Sequence, residues 1–219
     1  MDPSYDRIAG QSKDRLAAIS DGIFGVAMTL LLLELRAPDT ASVRPGSERD
    51  LWHAIAGNGP AFLVYLMSFM TLGIFWVGQQ TQLNHLARSD RNLTWLHLAF
   101  LFPVTILPFS TRLLTAFVAY RVALLAYWFN IFLLGAMLYL CWRYTDSANL
   151  ADPKMPPHVK GAVCRRIVIA QTWYAVGAAL CLLPISTYWS IGFIILVQLN
   201  YAFAPRGWFT RKSTARLLK

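Results

Sequence analysis

The segment Arg15-Leu-Ala-Ala-Ile19-Ser20-Asp21-Gly22 opens a run that closes on Leu33-Glu34-Leu35-Arg36. Carboxylates at the two ends of such a run can relay a proton or cation, concentrate cations by their charge, or accept hydrogen bonds that fix a helix. Joint acid–base chemistry is excluded, because the intervening helix, at 1.5 Å per residue, puts Asp21 and Glu34 about 20 Å apart. No Gly-x-Ser-x-Gly, His-Glu-x-x-His, Walker loop or intramembrane carboxylate pair occurs, so the chain is not expected to be an enzyme. His53, His85, His97 and His158 lack metal-ligand spacing, and Cys141, Cys164 and Cys181 stand singly. That pattern predicts no metal site, no disulfide framework and no cofactor. His97 alone lies well inside a helix, where a buried, hydrogen-bonded role is expected.

The uncharged stretch from Gly22 to Leu33 is 12 residues long. A hydrocarbon core of about 30 Å needs ~20 residues of helix, so Ser20, Asp21 and Glu34 must lie at or near membrane depth. Such carboxylates face protein or water rather than lipid, which predicts a first helix in the interior, surrounded by the others. At 100° per residue, Arg15, Ile19, Gly22, Val26, Leu30 and Leu33 fall within about 40° of one line, with Thr29 flanking it. Asp21 projects elsewhere and is not expected to pair with Arg15. Its expected partners are Trp76, Gln79, Gln80 or His97 on neighbouring helices, a network that would fix the helix's rotation. Gly22, Gly25 and Ala27 permit close approach by neighbours. Periodicity leaves two readings of the Val26/Leu30/Leu33 line open. It is packing inside one subunit, or it sits on a symmetry axis where several copies form apolar rings that gate by dewetting.

The elements that must position these residues follow from composition. Across 219 residues the chain is 56% hydrophobic and only 14% charged, against roughly 25% charged in soluble domains. Neither a soluble globule nor a disordered chain fits. Six stretches are long and apolar enough to span, at about 16–35, 60–82, 93–114, 117–142, 163–184 and 187–205. The predicted fold is all-α: a polytopic membrane protein with a cytoplasmic segment 1–15, one six-helix domain 16–205 and a basic tail 206–219. An amphipathic piece near 51–56 is expected at the interface. No internal repeat is visible, and the N-terminal segment, which carries Asp2, Asp6 and Asp14 and precedes no small-residue cleavage site, is not expected to be a removed signal peptide.

The net charge of +9 is not gathered into a basic domain, so nucleic acid is not an expected partner. Fifteen of the twenty Lys and Arg fall on one side of this scheme, which predicts both termini in the cytoplasm of a cell-membrane protein. Arg165 and Arg166 are expected to anchor to anionic headgroups, Arg112 and Arg121 to mark the outer interface by snorkelling. Trp52, Trp95, Trp142, Trp189 and Trp208 read as interfacial belts. Pro103 and Pro108 should kink the third span, its freed backbone satisfied by neighbours.

Arg15-x-x-x-Ile19-Ser20-Asp21, followed by Thr29-Leu-Leu-Leu-Leu-Glu34-Leu35, resembles the Arg-x-x-x-Phe-Ser-Asp signature of the transmembrane protein 175 family. These are potassium channels of endosomes and lysosomes and their prokaryotic relatives, which carry one six-helix unit of about this length. Gly73-Ile-Phe-Trp76 and Leu107-Pro108-Phe109-Ser110-Thr111 echo it more weakly. The resemblance implies a homotetramer whose pore is lined by the first helix. Val26, Leu30 and Leu33 would form the constriction with Thr29 beside them, and Arg15, Ile19, Ser20 and Asp21, with Trp76 and Gln79, would hold the helix in register. Ile19 stands in place of the motif's Phe, Gln79 and Gln80 stand where many relatives carry a His, and Val26 is smaller than the Ile or Leu of the first ring.

No Thr-Val-Gly-Tyr-Gly filter occurs. Preference for potassium over sodium would therefore rest on the cost of dehydration in an apolar ring, and only moderate selectivity is expected. Glu34 would concentrate cations at the outer end or simply end the helix at the interface. The expected function is a potassium-preferring, leak-like cation channel. Its rivals are a secondary transporter using Asp21 as proton or cation relay, and a non-conducting membrane scaffold.

Overall fold

A computed structural model describes residues 12–33, 35, 37, 44, 47–183 and 186–203, with the backbone alone at 157, 158 and 203. Glu34, the tail 206–219, most of the segment 1–15 and the His158 side chain lie outside the described residues. Among those described, the chain forms seven helices and no strand. They are α1 (Lys13–Leu32), α2 (Glu48–Gly57), α3 (Gly59–Asn84), α4 (Arg91–Ala116), α5 (Arg121–Ser147), α6 (Pro157–Leu180) and α7 (Thr187–Phe203).

Local chemistry sets the starts. Ser12 caps α1 by accepting from Arg15 N, Ser47 caps α2 by accepting from Asp50 N, and Asp90 caps α4 by accepting from Leu93 N at 2.7 Å. α3 and α6 carry Pro in the first turn, where the missing N–H costs nothing. α2 is the amphipathic piece: it buries no residue, and Leu51, Trp52 and Ile55 stand exposed.

α4 is the hub, packing on α5, α1 and α3, while α6 packs on α5 and α7. Connections fall alternately at two ends. At one end Lys13 Nζ donates to Leu86 O and Ala87 N to Leu150 O, joining the start of α1 to the α3–α4 and α5–α6 connections. Tyr201 near the end of α7 donates to Arg166 O of α6 at this same end. At the other end Arg121 donates to Leu183 O, and Thr187 donates to Val118 O, joining the α4–α5 and α6–α7 connections.

Among the described residues four helices, α1, α3, α4 and α5, are long and apolar enough to cross a membrane. The six-span expectation meets two obstacles of composition. α6 carries Lys160, Arg165 and Arg166 in its first ten residues, and α7 has 17 residues, about 25 Å of helix. Several helices also outrun the expected bounds: α5 continues to Ser147 rather than 142, and α6 begins at Pro157 rather than 163. Charged residues leave the hydrocarbon without leaving the helix.

The core holds a hydrogen-bonded chain that sequence reading missed. Thr111 of α4 donates to Ser68 of α3 at 2.8 Å, Ser68 to Tyr127 of α5 at 3.2 Å, and Gln198 of α7 to Thr71 of α3 at 2.7 Å. The Tyr127 and Thr71 hydroxyls meet at 3.2 Å. All five side chains are buried. Lipid offers no hydrophobic driving force between helices, so such bonds and close packing must fix their arrangement. α4 runs unbroken through Pro103 and Pro108. Buried Asn130 of α5 serves the backbone there: its amide, suitably turned, donates to Pro103 O and accepts from Leu107 N and Ser110 Oγ, all at 3.2 Å.

Candidate functional site

α1 has two unlike faces. Leu16, Ser20, Phe24, Ala27 and Leu31 recur at four- and three-residue steps and are buried against α3 and α4. Leu31 is 0% exposed and Phe24 1%, with the Phe24 ring 6.1 Å from that of Phe100 on α4. Roughly a third of a turn away, Val26 is 59% exposed, Leu30 42% and Leu33 71%. Ile19 lies uncovered on the same side, as do Arg15, Gly22 and Thr29.

Two expectations are corrected here. The Val26/Leu30/Leu33 line is not packing within one protomer, since none of the three is covered. Nor is α1 surrounded by the other helices of its own chain; it lies at the flank of the bundle. The physical reason is that the buried line is equally apolar, so the periodicity of one face did not say which face the protomer uses. Gly22 and Gly25 likewise bring nothing close, as a Cβ at either would meet no atom within 4 Å.

The register of α1 is held by polar contacts. Asp21 Oδ1 accepts from Trp76 Nε1 and from Gln80 Nε2, each at 2.7 Å. Trp76 and Gln80 are one turn apart on α3 and so present both donors to one oxygen. Gln79 between them points inward, donating from Nε2 to Ser20 Oγ at 2.8 Å, while Ser20 donates to Leu16 O at 2.7 Å. Three residues of α3 thus grip two adjacent residues of α1. Ser20 and Gln79 are fully buried, whereas Asp21 remains exposed in the protomer. His97 is not part of this grip: it is buried on α4, with Nδ1 3.0 Å from Leu93 O. Arg15 is exposed and does not meet Asp21. Thr29 donates its hydroxyl proton to Val26 O at 2.8 Å, leaving oxygen lone pairs as what it offers outward.

Among the described residues no group of three His, Cys, Asp or Glu is placed to hold a metal. The arrangement offers no nucleophile–base pair either. It can hold a helix rigidly through Ser20 and Asp21 on one side and present an apolar line with the Thr29 hydroxyl on the other.

A helical bundle with several segments long and apolar enough to cross a membrane, built around one such two-faced helix, belongs to the multi-pass membrane proteins. Residues 15–108 match the family described as the endosomal/lysosomal potassium channel TMEM175. A potassium channel of Streptomyces collinus is 31% identical over 179 residues, covering 78% of this chain and 84% of that one. The endosomal/lysosomal proton channel TMEM175 of Mus musculus is 32% identical over 121 residues, 53% of this chain and 24% of that one. The crystal structure of a lysosomal potassium-selective channel TMEM175 homolog from Chamaesiphon minutus superposes with a TM-score of 0.73 at 26% identity, covering 88% of this chain and 97% of that one. The chain belongs to the TMEM175 family of ion channels.

Proposed function

We propose that this protein is a potassium-preferring, leak-like cation channel of the cell membrane, a homotetramer in which four copies of α1 surround one axis. The observation that carries the reading is the uncovered line of Ile19, Val26, Leu30 and Leu33 on a helix whose other face is buried to a few per cent. Asp21 projects away from that line and is held by Trp76 and Gln80 of α3, so it fixes which face of α1 is turned outward. A shared axis suits the apolar line that this leaves uncovered.

In this reading Val26, Leu30 and Leu33 make successive apolar rings, Thr29 lines the wall beside them, and Glu34 gathers cations at the outer mouth. Ions pass only when the rings wet, and the larger, less tightly hydrated potassium ion pays less to enter than sodium. Val26, the smallest of the three, widens the innermost ring and limits selectivity to a moderate ratio. Arg15, Ile19, Ser20, Asp21, Trp76 and Gln79 keep each copy of α1 in register. α6 and α7 complete six crossings. The alternation of connections between two ends supports that count, and the concentration of Lys and Arg at the end bearing Lys13 supports cytoplasmic termini.

The test is reconstitution in liposomes with a potassium gradient. Wild type should give discrete current steps with a reversal potential that follows potassium, and Leu30→Asn should raise conductance by wetting the ring. A Leu30→Asn current equal to wild type would remove the constriction. Saturable flux coupled to a second solute, lost in Asp21→Asn, would replace the channel by a transporter, and a reversal potential following the pH gradient would replace potassium by protons.

A further inference from the structure

At the end of the bundle bearing Lys13, two connections form a platform beneath α1. Ala87 N donates to Leu150 O at 2.9 Å and Asp152 N to His85 O at 2.8 Å. These two bonds make Leu86 and Ala151 a bridge between the α3–α4 and α5–α6 connections. Asn149, with φ of 53°, makes the left-handed turn that delivers this segment. Beside the bridge, Tyr144 of α5 donates to Asp90 Oδ2 at 2.8 Å and accepts from Asn92 Nδ2 at 3.2 Å. Asp90 spends its other oxygen capping α4, the helix on which α1 lies. The first turn of α1 rests on this assembly: Lys13 Nζ donates to Leu86 O at 3.3 Å, and Leu16, like Leu83, Leu86 and Leu93, is buried.

We propose that this platform sets the tilt of α1 about its Phe24–Phe100 contact and thereby the width of the conducting path, with Asp90, Tyr144 and the Leu86–Ala151 bridge as positioning residues. The inference rests on the reading that α1 lines the axis. The lever follows from helix geometry. Lys13 lies 11 residues before Phe24 and Leu33 nine after it, about 16 Å and about 14 Å of rigid helix. A 1 Å displacement of the inner end therefore moves Leu33 by about 0.8 Å in the opposite sense. In an apolar ring a change of that size decides whether water, and hence an ion, enters. The platform has leverage because its contacts join the ends of α3, α4, α5 and α6 to the first turn of α1 at a single point, whereas the Val26/Leu30/Leu33 line of α1 is exposed in its own chain.

The test compares potassium flux of full-length variants in liposomes, with oligomeric state checked by size exclusion. Leu86 and Ala151 form the non-hydrogen-bonded pair of their bridge, whose Cα atoms lie about 4.5 Å apart in such pairs, within disulfide reach. Leu86→Cys/Ala151→Cys keeps both backbone bonds and adds a covalent lock on oxidation, so the reduced protein should conduct at least about fivefold more than the oxidised one, reversibly and on the same folded sample. Wild type, with its three native cysteines, should ignore the same oxidant. Tyr144→Phe should raise flux by a similar factor without changing assembly. Flux within twofold of wild type for Tyr144→Phe and for both redox states, alongside an effective Leu30→Asn, overturns the lever while sparing the pore. An ineffective Leu30→Asn removes the lining role of α1, and the lever with it.

Discussion

Ser20 and Gln79 allow the grip on α1 to be tested by a double-mutant cycle whose sign pattern follows from the structure. Ser20 Oγ accepts from Gln79 Nε2 and donates to Leu16 O, while Gln79 Oε1, also buried, has no partner. Ser20→Ala leaves Leu16 O with its helical N–H but strands the whole Gln79 amide. A stranded buried polar group costs about 1–3 kcal/mol, and interhelical bonds in membranes are worth about 0.6–1.7 kcal/mol, so a loss of about 1–2 kcal/mol is expected. Gln79→Leu, of nearly equal volume, forfeits one bond but also removes the partnerless Oε1. Its stability should lie within about 0.5 kcal/mol of wild type. The double variant holds no polar group at the contact and should match Gln79→Leu, so the second substitution rescues the first. Detergent-micelle unfolding by titrated sodium dodecyl sulfate, followed by helical circular dichroism, measures all four corners. Additive losses, with the double variant the least stable of the four, would show that the 2.8 Å contact is not what couples α1 to α3.

Three further outcomes follow from particular contacts. Asp21→Asn keeps an acceptor oxygen for Trp76 and Gln80 and should preserve thermal stability, whereas Asp21→Leu should cost about 1.5–3 kcal/mol; equal losses would make charge, not hydrogen bonding, the bond's content. Tyr127→Phe interrupts the buried hydroxyl chain at its centre and should lower stability by about 1–2 kcal/mol in the same titration, and an unchanged midpoint would mean the chain is ornamental. The Arg44 guanidinium, with the Ser47 hydroxyl, holds the Asp50 carboxyl below the ordinary carboxylate value. A depressed folded value contributes stability above the ordinary value of about 4, which is lost as pH falls through the depressed one. Hydrogen exchange in α2 should therefore quicken below about pH 4 relative to its intrinsic rate, and an α2 as protected at about pH 2.5 as at about pH 6 would contradict the pairing.

What could be read from the sequence was local. The spans α3 and α4 fall within a few residues of expectation. Trp76 and Gln80 stood among the expected partners of Asp21, because few polar side chains exist at membrane depth to choose from; Gln79, expected on the same count, bonds Ser20 instead. His97 was a fair candidate on the same count; its ring nitrogen is spent on Leu93 O one turn back, which only coordinates reveal. The bounds of α5 and α6 were misjudged for one reason. Hydropathy reports the hydrocarbon slab, while the backbone ladder continues through Arg143, Asp146 and Lys160. The Leu86–Ala151 bridge left no sequence signal, since it is two residues long and depends on a turn at Asn149 and on tertiary closure.

The face of α1 that the protomer covers was beyond sequence reading for a deeper reason. Lipid, a neighbouring helix and a second copy of the chain all accept Val26, Leu30 and Leu33, so apolar periodicity cannot tell them apart. The polar residues on the same half can. A wholly lipid-facing surface would waste the Thr29 hydroxyl and the Arg15 charge; a wholly aqueous one would leave Ile19, Val26, Leu30 and Leu33 as an unsheltered apolar strip. Neither single solvent suits the whole face. An axis shared by several copies, wet at its mouths and constricted among the aliphatic side chains, suits that face, and that fit is why the uncovered face, rather than the better-packed one, is where function is to be sought.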